Sequence, residues 1–118
     1  MVYNVTNKIK HIRFLMLENK SFKFIENEIK NNKVVLFMKG TKEAPMCGFS
    51  GKVVMILTKL GVEFRDIDVL SDPELRESLK VFSDWPTFPQ LYINGELVGG
   101  CDIVTELYSS GELEKMLK

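Results

Sequence analysis

One cysteine of this 118-residue chain stands where a backbone can make its thiol reactive. Cys47 follows the apolar run Val34–Met38 and the loop Gly40–Pro45, and it opens a stretch with helical periodicity. A helix N-terminus offers unpaired N–H groups to an anion and lowers the pKa of a thiol there below about 8.5. Lys39 adds a positive charge nearby. A thiolate is the nucleophile of disulfide exchange and a ligand for soft metals, so the pattern predicts one of these chemistries.

The residues after Cys47 exclude one common use of such a thiol. The sequence Cys47-Gly48-Phe49-Ser50 has a serine where a dithiol redox enzyme keeps its resolving cysteine. A hydroxyl ionises too little at neutral pH to attack a mixed disulfide, so the second thiol must come from elsewhere. The ordinary alternative is that Cys47 is a small buried residue, as most free cysteines are. The turn residues on both sides of Cys47 favour the reactive thiol.

Hydrophobic periodicity and turn residues predict the elements that position this thiol. Ser21 is a candidate cap for a first helix, and Val34–Met38 does not alternate, which is typical of a strand buried on both faces. Three further helices are predicted: one over Cys47–Leu60, one after a cap at Ser71 or Asp72, and one from Ile103 after a cap at Asp102. Three further strands are predicted over Glu63–Val69, Gln90–Ile93 and Glu96–Gly99.

The order of these elements predicts the fold. Strands that alternate with helices imply a parallel half, and the hairpin signal Asn94-Gly95 adds an antiparallel half. A four-stranded mixed sheet flanked by helices, the thioredoxin-like α/β fold, satisfies both. We expect this domain over residues 21–118 and a non-core N-terminal extension over residues 1–20.

Composition and charge exclude several classes of protein. With 45% hydrophobic and 27% charged residues the chain has the balance of a soluble globular domain. The longest apolar runs have five residues, whereas a membrane-spanning helix needs about 20. Sixteen basic residues balance sixteen acidic ones, so we expect neither nucleic acid nor a membrane as a partner.

The N-terminal extension differs from the rest of the chain in charge. Residues 1–23 carry a local charge of +4, and Lys8, Lys10 and Arg13 suit a basic amphipathic helix. Two cysteines are too few for a disulfide scaffold, and His11 is the only histidine. We therefore expect a reducing intracellular compartment, with mitochondrion and cytoplasm left open.

Three blocks of the sequence resemble the monothiol glutaredoxins of the CGFS class. The blocks are Lys39-Gly40 with Cys47-Gly48-Phe49-Ser50, the segment from Trp85 to Leu91, and the segment from Asn94 to Asp102. The resemblance runs from about Ser21 to the C-terminus. It implies that Cys47 binds a 2Fe-2S cluster bridging two subunits, with glutathione supplying the remaining ligands. Two copies of Cys47 and two glutathione thiolates would provide the four thiolates that such a cluster requires.

The resemblance also implies a glutathione site. Lys39 and Arg76 are expected at the glycine-end carboxylate of glutathione, although both are ordinary surface charges otherwise. Pro89 resembles the family's cis-proline, which orients the backbone of Phe88 toward the tripeptide. The glutamyl end is expected near the start of the last helix. The implied residues there are Gly100, Cys101 and Asp102, with Lys80 a weaker candidate for the site as a whole.

We expect Asp102 to be both a helix cap and, as the resemblance implies, a contact to glutathione. The role of Cys101 stays open. Cys101 is a small buried residue or a second thiol that forms a disulfide with Cys47 under oxidation.

Three functions compete on these observations. The favoured one is a carrier that passes a 2Fe-2S cluster to apo iron–sulfur proteins, monomeric as apoprotein and homodimeric with its cluster. The alternative is a glutathione-dependent thiol-disulfide oxidoreductase that removes glutathione from mixed disulfides, with Cys47 as the single nucleophile. The third, suggested by the resemblance alone, is binding of a BolA-like protein through the same face.

Overall fold

The computed structural model of the protein describes residues 19–118. The predicted extension with its basic amphipathic helix falls almost wholly on residues 1–18, which lie outside the described residues. The boundary of the domain near residue 20 therefore stays a prediction. The helices are α1 (Lys20–Asn31), α2 (Gly48–Lys59), α3 (Pro73–Ser83), α4 (Cys101–Ser110) and α5 (Glu112–Met116), and the strands are β1 (Val34–Met38), β2 (Arg65–Asp68), β3 (Gln90–Ile93) and β4 (Glu96–Gly99).

The strands form one mixed sheet in the order β2-β1-β3-β4. Strand β1 runs parallel to β2 and antiparallel to β3, and β3 and β4 form the terminal antiparallel hairpin. Asn94 and Gly95 both have positive φ, 51° and 81°, as a tight two-residue hairpin turn requires. The predicted four-stranded mixed sheet of the thioredoxin-like fold is confirmed.

Strand β1 is the centre of the molecule, because all five of its residues are buried. Leu36 and Met38 pack into a cluster with side chains of α2, α4 and α5. Val35 and Phe37 point to the opposite face, into a cluster formed with α1, α3 and Phe88. The sheet therefore lies between two layers of helices, and among residues 19–118 no helix is long and apolar enough to span a bilayer.

The first helix begins earlier than the sequence predicted. Asn19 is its N-cap, and the Asn19 Oδ1 accepts hydrogen bonds from the N–H groups of Ser21 at 2.8 Å and Phe22 at 3.3 Å. Ser21 was expected to be this cap, and that prediction is wrong. An amide oxygen two residues upstream reaches the free N–H groups first, which places Ser21 inside the helix.

Helix α4 also begins earlier than predicted. Gly100 is its N-cap, and the Gly100 carbonyl already accepts the first helical hydrogen bond, from the Val104 N–H at 3.0 Å. Asp102 therefore lies in the first turn and forms no cap hydrogen bond. Its predicted role as the N-cap is wrong, and its negative charge near the positive end of the helix dipole remains favourable.

The position of the first cap gives a direct test of stability. We expect Asn19→Ala to lower the free energy of unfolding by about 1 kcal/mol, because it leaves two N–H groups of α1 without their acceptor. Ser21→Ala is the matched control and should change stability by less than about 0.5 kcal/mol. Urea unfolding followed by circular dichroism measures both, and a larger loss for the Ser21 variant would contradict the assignment.

Candidate functional site

Cys47 is the N-cap residue of α2, and its side chain is partly exposed. The chain before it is tied to the end of β1, because the Met46 N–H donates to the Lys39 carbonyl at 2.9 Å. The helix is tied to the same residue, because the Lys39 N–H donates to Ser50 Oγ at 3.1 Å. Ser50 is fully buried. These contacts fix the first turn of α2, and with it the thiol, against the central strand.

The environment of Cys47 favours its thiolate. The backbone N–H of Ser50 makes the largest contribution and lowers the pKa of the Cys47 thiol below its ordinary value. Partial burial opposes this shift, while the Phe49 N–H, the Lys39 ammonium and the Ser50 hydroxyl reinforce it. A neutral thiol is a weak acceptor and makes no cap hydrogen bond here. The hydrogen bonds from the surrounding donors therefore strengthen when the sulfur ionises, which stabilises the thiolate.

The loop that leads to Cys47 is anchored by two carboxylates of β2. Asp68 Oδ1 accepts from the Gly40 N–H at 2.9 Å, and Asp66 Oδ2 accepts from the Lys42 N–H at 2.8 Å. Gly40 has φ +89°, and a Cβ atom there would lie 2.5 Å from the Ala44 carbonyl oxygen. The chain can make this turn only with glycine at position 40.

Cys47 opens onto a groove of about 470 Å³ at one end of the sheet. The groove draws residues from the end of β1, from α3, from the loop before β3 and from the start of α4. Every residue of the predicted glutathione site lines this groove, together with Cys47. They are Lys39, Cys47, Arg76, Lys80, Phe88, Pro89, Gly100, Cys101 and Asp102, and Phe49 and Trp85 join them.

The wall facing α4 is the loop from Trp85 to Pro89. The Phe88–Pro89 peptide bond is cis, as expected. The Phe88 side chain is buried in the core, so this residue can offer a ligand mainly its backbone. A Cβ atom on Gly100 would lie 3.3 Å from the Pro89 carbonyl oxygen and 3.5 Å from Trp85 Nε1. Glycine at position 100 thus allows the loop and the start of α4 to approach closely.

The groove is electropositive and holds hydrogen-bond donors without acceptors. Lys39, Arg76 and Lys80 line it together with a single carboxylate, Asp102. Lys80 Nζ lies 3.3 Å from Glu77 Oε1, so part of its charge is balanced. Arg76 Nε is 3.8 Å from the same carboxylate, too far for a hydrogen bond, and both Arg76 Nε and Trp85 Nε1 are buried without a partner. Such a groove suits a polar ligand that carries negative charge.

The second cysteine differs from the first in its surroundings. Cys101 is buried in the first turn of α4, with its Sγ 3.9 Å from Thr105 Oγ1. Asp102, next to it, is exposed and faces the groove. Both cysteines are free thiols. A disulfide between Cys101 and Cys47 stays a prediction.

Two polar residues support the site although the sequence did not single them out for it. Ser50 was interpreted only as the place of a missing cysteine, whereas it joins α2 to β1 and contacts the Cys47 thiol. Gln90 was interpreted as the first residue of a strand, whereas it is fully buried and bonds to the Trp85–Pro89 loop. A polar side chain in an otherwise apolar strand was the available signal for Gln90.

Comparison with known proteins agrees with this site. A family model described as Glutaredoxin matches residues 34–98. This chain belongs to the glutaredoxin family. A protein named probable monothiol glutaredoxin 2 from Rickettsia conorii is 84% identical over 103 residues, which cover 87% of this chain and 96% of the relative. The Cys47-Gly48-Phe49-Ser50 motif and this relative place the chain among the monothiol members.

Solved structures agree with the fold. The solution structure of reduced poplar apo GrxS14 is 53% identical, with a TM-score of 0.71 over 79% of this chain and 85% of that one. A buckwheat glutaredoxin–glutathione complex is 25% identical, with a TM-score of 0.76 over 86% of this chain and 90% of that one. The predicted family and fold are therefore confirmed.

The charge around Cys47 predicts how its reactivity depends on pH. The thiolate is the reacting form, so alkylation slows as the pH falls through the thiol pKa. In a Cys101→Ser background we expect this midpoint below that of a free thiol, about 8.5. Lys39→Gln should raise it, because the ammonium that favours the thiolate is lost. Added salt should reduce the difference between the two proteins.

The control for this measurement is Lys115→Gln, which removes an exposed charge that pairs with Glu112 in α5. It should leave the midpoint unchanged. A midpoint at or above that of a free thiol in the Cys101→Ser protein would contradict the role of the α2 N-terminus.

Proposed function

We propose that this chain binds glutathione in its groove and carries a 2Fe-2S cluster that bridges two subunits. The cluster is cargo that passes to apo iron–sulfur proteins. The observation that carries the proposal is the Cys47 thiol, held ready to ionise at the N-terminus of α2, with the buried Ser50 in place of a second local thiol. Any reaction of Cys47 that needs another sulfur must therefore recruit it from a ligand or a partner.

Glutathione fits the groove by charge and by shape. It is a tripeptide with two carboxylates and one ammonium group, and the groove offers three cationic side chains and one carboxylate. The unpaired donors Arg76 Nε and Trp85 Nε1 supply sites for its acceptors. The buckwheat structure is a glutaredoxin–glutathione complex, which supports the same ligand for this chain. Bound there, the tripeptide would bring its own thiol to the groove that Cys47 lines.

Removing one cation should weaken this binding. We expect Arg76→Gln to reduce the affinity for S-methylglutathione about tenfold, the loss of roughly one charge-assisted hydrogen bond. Trp85 is the only tryptophan, so its fluorescence reports the titration from within the groove. Lys115→Gln makes the same charge change outside the groove and should bind like wild type. Equal affinities for all three proteins would remove Arg76 from the site.

The residues present fit a shared cluster. Within residues 19–118 no group of three or more metal-ligating side chains comes together, and Cys47 is the thiol that is partly exposed. One chain thus offers one ligand, whereas a 2Fe-2S cluster takes four thiolates. A second subunit and two glutathione thiols would complete the set. Met46 and Phe49 flank Cys47 with 71% and 63% of their surfaces exposed, which leaves apolar area for a second subunit to cover.

The carrier hypothesis is tested by anaerobic reconstitution with iron, sulfide and glutathione. We expect wild type to gain the visible charge-transfer absorption of the cluster and to elute as a dimer, while the apoprotein elutes as a monomer. Cys47→Ser should remain colourless and monomeric, because an alcohol does not replace the thiolate ligand. Cys101→Ser is the matched control and should still assemble the cluster. Wild type without absorption after reconstitution would refute the carrier role.

A second candidate function is supported by the lowered pKa of Cys47. As an oxidoreductase, the Cys47 thiolate would attack the glutathione sulfur of a mixed disulfide and release the substrate thiolate. A second glutathione thiolate would then attack the Cys47–glutathione disulfide and leave as glutathione disulfide, restoring the enzyme. Turnover by apoprotein at the rate of a dithiol glutaredoxin, together with failed reconstitution, would favour this function.

Partners and compartment follow from the carrier proposal. The recipients would be apo iron–sulfur proteins, and a BolA-like protein would replace one subunit on the same face. Two free thiols agree with a reducing intracellular compartment, mitochondrion or cytoplasm.

A further inference from the structure

A buried amide lies directly behind the wall of the groove. Gln90 is the first residue of β3, and none of its surface is exposed. Its Nε2 donates to the Trp85 carbonyl at 3.0 Å and to the Thr87 carbonyl at 3.2 Å. One side chain therefore satisfies two carbonyl groups of the Trp85–Pro89 loop, close to its beginning and its middle.

The beginning of the loop is held from a second direction. Ser83, the last residue of α3, accepts a hydrogen bond from the Trp85 N–H on its Oγ at 3.2 Å, and the same hydroxyl donates to the Leu79 carbonyl at 2.7 Å. Both backbone polar groups of Trp85 are thus bound by side chains. The indole ring that lines the groove extends from a residue whose backbone has no free polar group.

The orientation of the Gln90 amide is itself determined by its neighbours. The loop carbonyls can only accept hydrogen bonds, so the amide nitrogen must face them, which leaves Gln90 Oε1 toward the Tyr92 hydroxyl at 3.5 Å. Tyr92 is buried and packs edge to face on Phe37 of the central strand, with ring centroids 5.6 Å apart. The polar contacts of the loop are in this way connected to the rigid core of the sheet.

We propose that Gln90 is a positioning residue for ligand binding, which holds Trp85 and the backbone before Phe88 in the geometry that the groove requires. The proposal rests on the proposed function, because the ligand it concerns is glutathione. Gln90 does not line the groove, so it acts only through the loop. An apolar residue of similar length would fill the same space in the core but would remove the donations of Gln90 Nε2 to the Trp85 and Thr87 carbonyls, leaving the Trp85 carbonyl only the 3.5 Å contact with Ser83 Oγ.

Three substitutions separate this role from a contribution to the core. Gln90→Met keeps the length of the side chain and loses both donors. Gln90→Glu keeps an oxygen acceptor for the Tyr92 hydroxyl but turns a carboxylate toward the two carbonyl groups. Tyr92→Phe removes the 3.5 Å contact to Gln90 Oε1 and the hydroxyl contact with Ser83, and it retains both donations from Gln90. The control Leu113→Ala opens a cavity in the buried core at α5, whose residues do not line the groove.

Each protein is titrated with S-methylglutathione, which cannot exchange disulfides with Cys47, at a temperature where circular dichroism shows it folded. We expect Gln90→Met and Gln90→Glu to weaken binding about tenfold, the size of roughly one lost hydrogen bond. In both, the ligand-free emission maximum of Trp85 should shift. Tyr92→Phe should remain within about threefold of wild type, and Leu113→Ala should bind like wild type although it unfolds more easily.

The outcomes distinguish a failure of the Gln90 proposal from a failure of the glutathione proposal. Wild-type affinity and an unchanged Trp85 emission in Gln90→Met would show that Gln90 is only a core residue, and would overturn the proposal. A loss of affinity in Leu113→Ala as large as in Gln90→Met would also overturn it, since general destabilisation would then suffice. If wild type itself does not bind, the glutathione proposal fails, and the emission of the ligand-free proteins still decides whether Gln90 positions the loop.

Discussion

The lowered pKa of the Cys47 thiol depends on the contact between the first turn of α2 and the end of β1. A cysteine gains a low pKa at a helix N-terminus only while the N–H groups of that turn point at its sulfur. Ser50 keeps them there, because its buried hydroxyl accepts the Lys39 N–H, while the Met46 N–H returns to the Lys39 carbonyl. Lys39 thus connects strand, loop and helix through its backbone and adds its charge at the same place.

The other walls of the groove lie at the same end of the sheet. The end of β1 leads into the loop that carries Cys47, and its partner strand β3 begins directly after the Trp85–Pro89 loop, with Gln90 paired to Phe37. The α4 helix can begin beside that loop because Gly100 has no side chain to separate them. Lys39, which follows β1, and Arg76 and Lys80 of α3 line the same space as the aromatic side chains of Phe49 and Trp85. Such a surface suits a polar ligand that carries negative charge.

The sequence was sufficient to predict elements whose ends are marked by their own residues. The bounds of β1, β3 and β4 were all predicted correctly, because Asn94-Gly95 and the flanking polar residues delimit them. Asp72 is a cap as predicted, whereas two other helix caps were less predictable, since Asn19 and Gly100 take that role only through the geometry of the preceding chain. The contacts of Gln90 could not be predicted for a different reason. Its two acceptors lie three and five residues earlier, in a loop whose path is set by contacts with α3 and α4.

Because the site has a single reactive thiol, either proposed function of Cys47 needs a ligand bound in the groove. In disulfide exchange the missing sulfur would come from a second glutathione, and in cluster binding from glutathione and a second subunit, so both proposed functions begin with a ligand held beside Cys47. In the proposed binding mode that ligand would lie against the Trp85–Pro89 loop, whose backbone is held by Ser83 and Gln90. If Gln90 positions the loop as proposed, its loss would weaken both functions, whereas only cluster binding would need a second subunit to cover the exposed Met46 and Phe49.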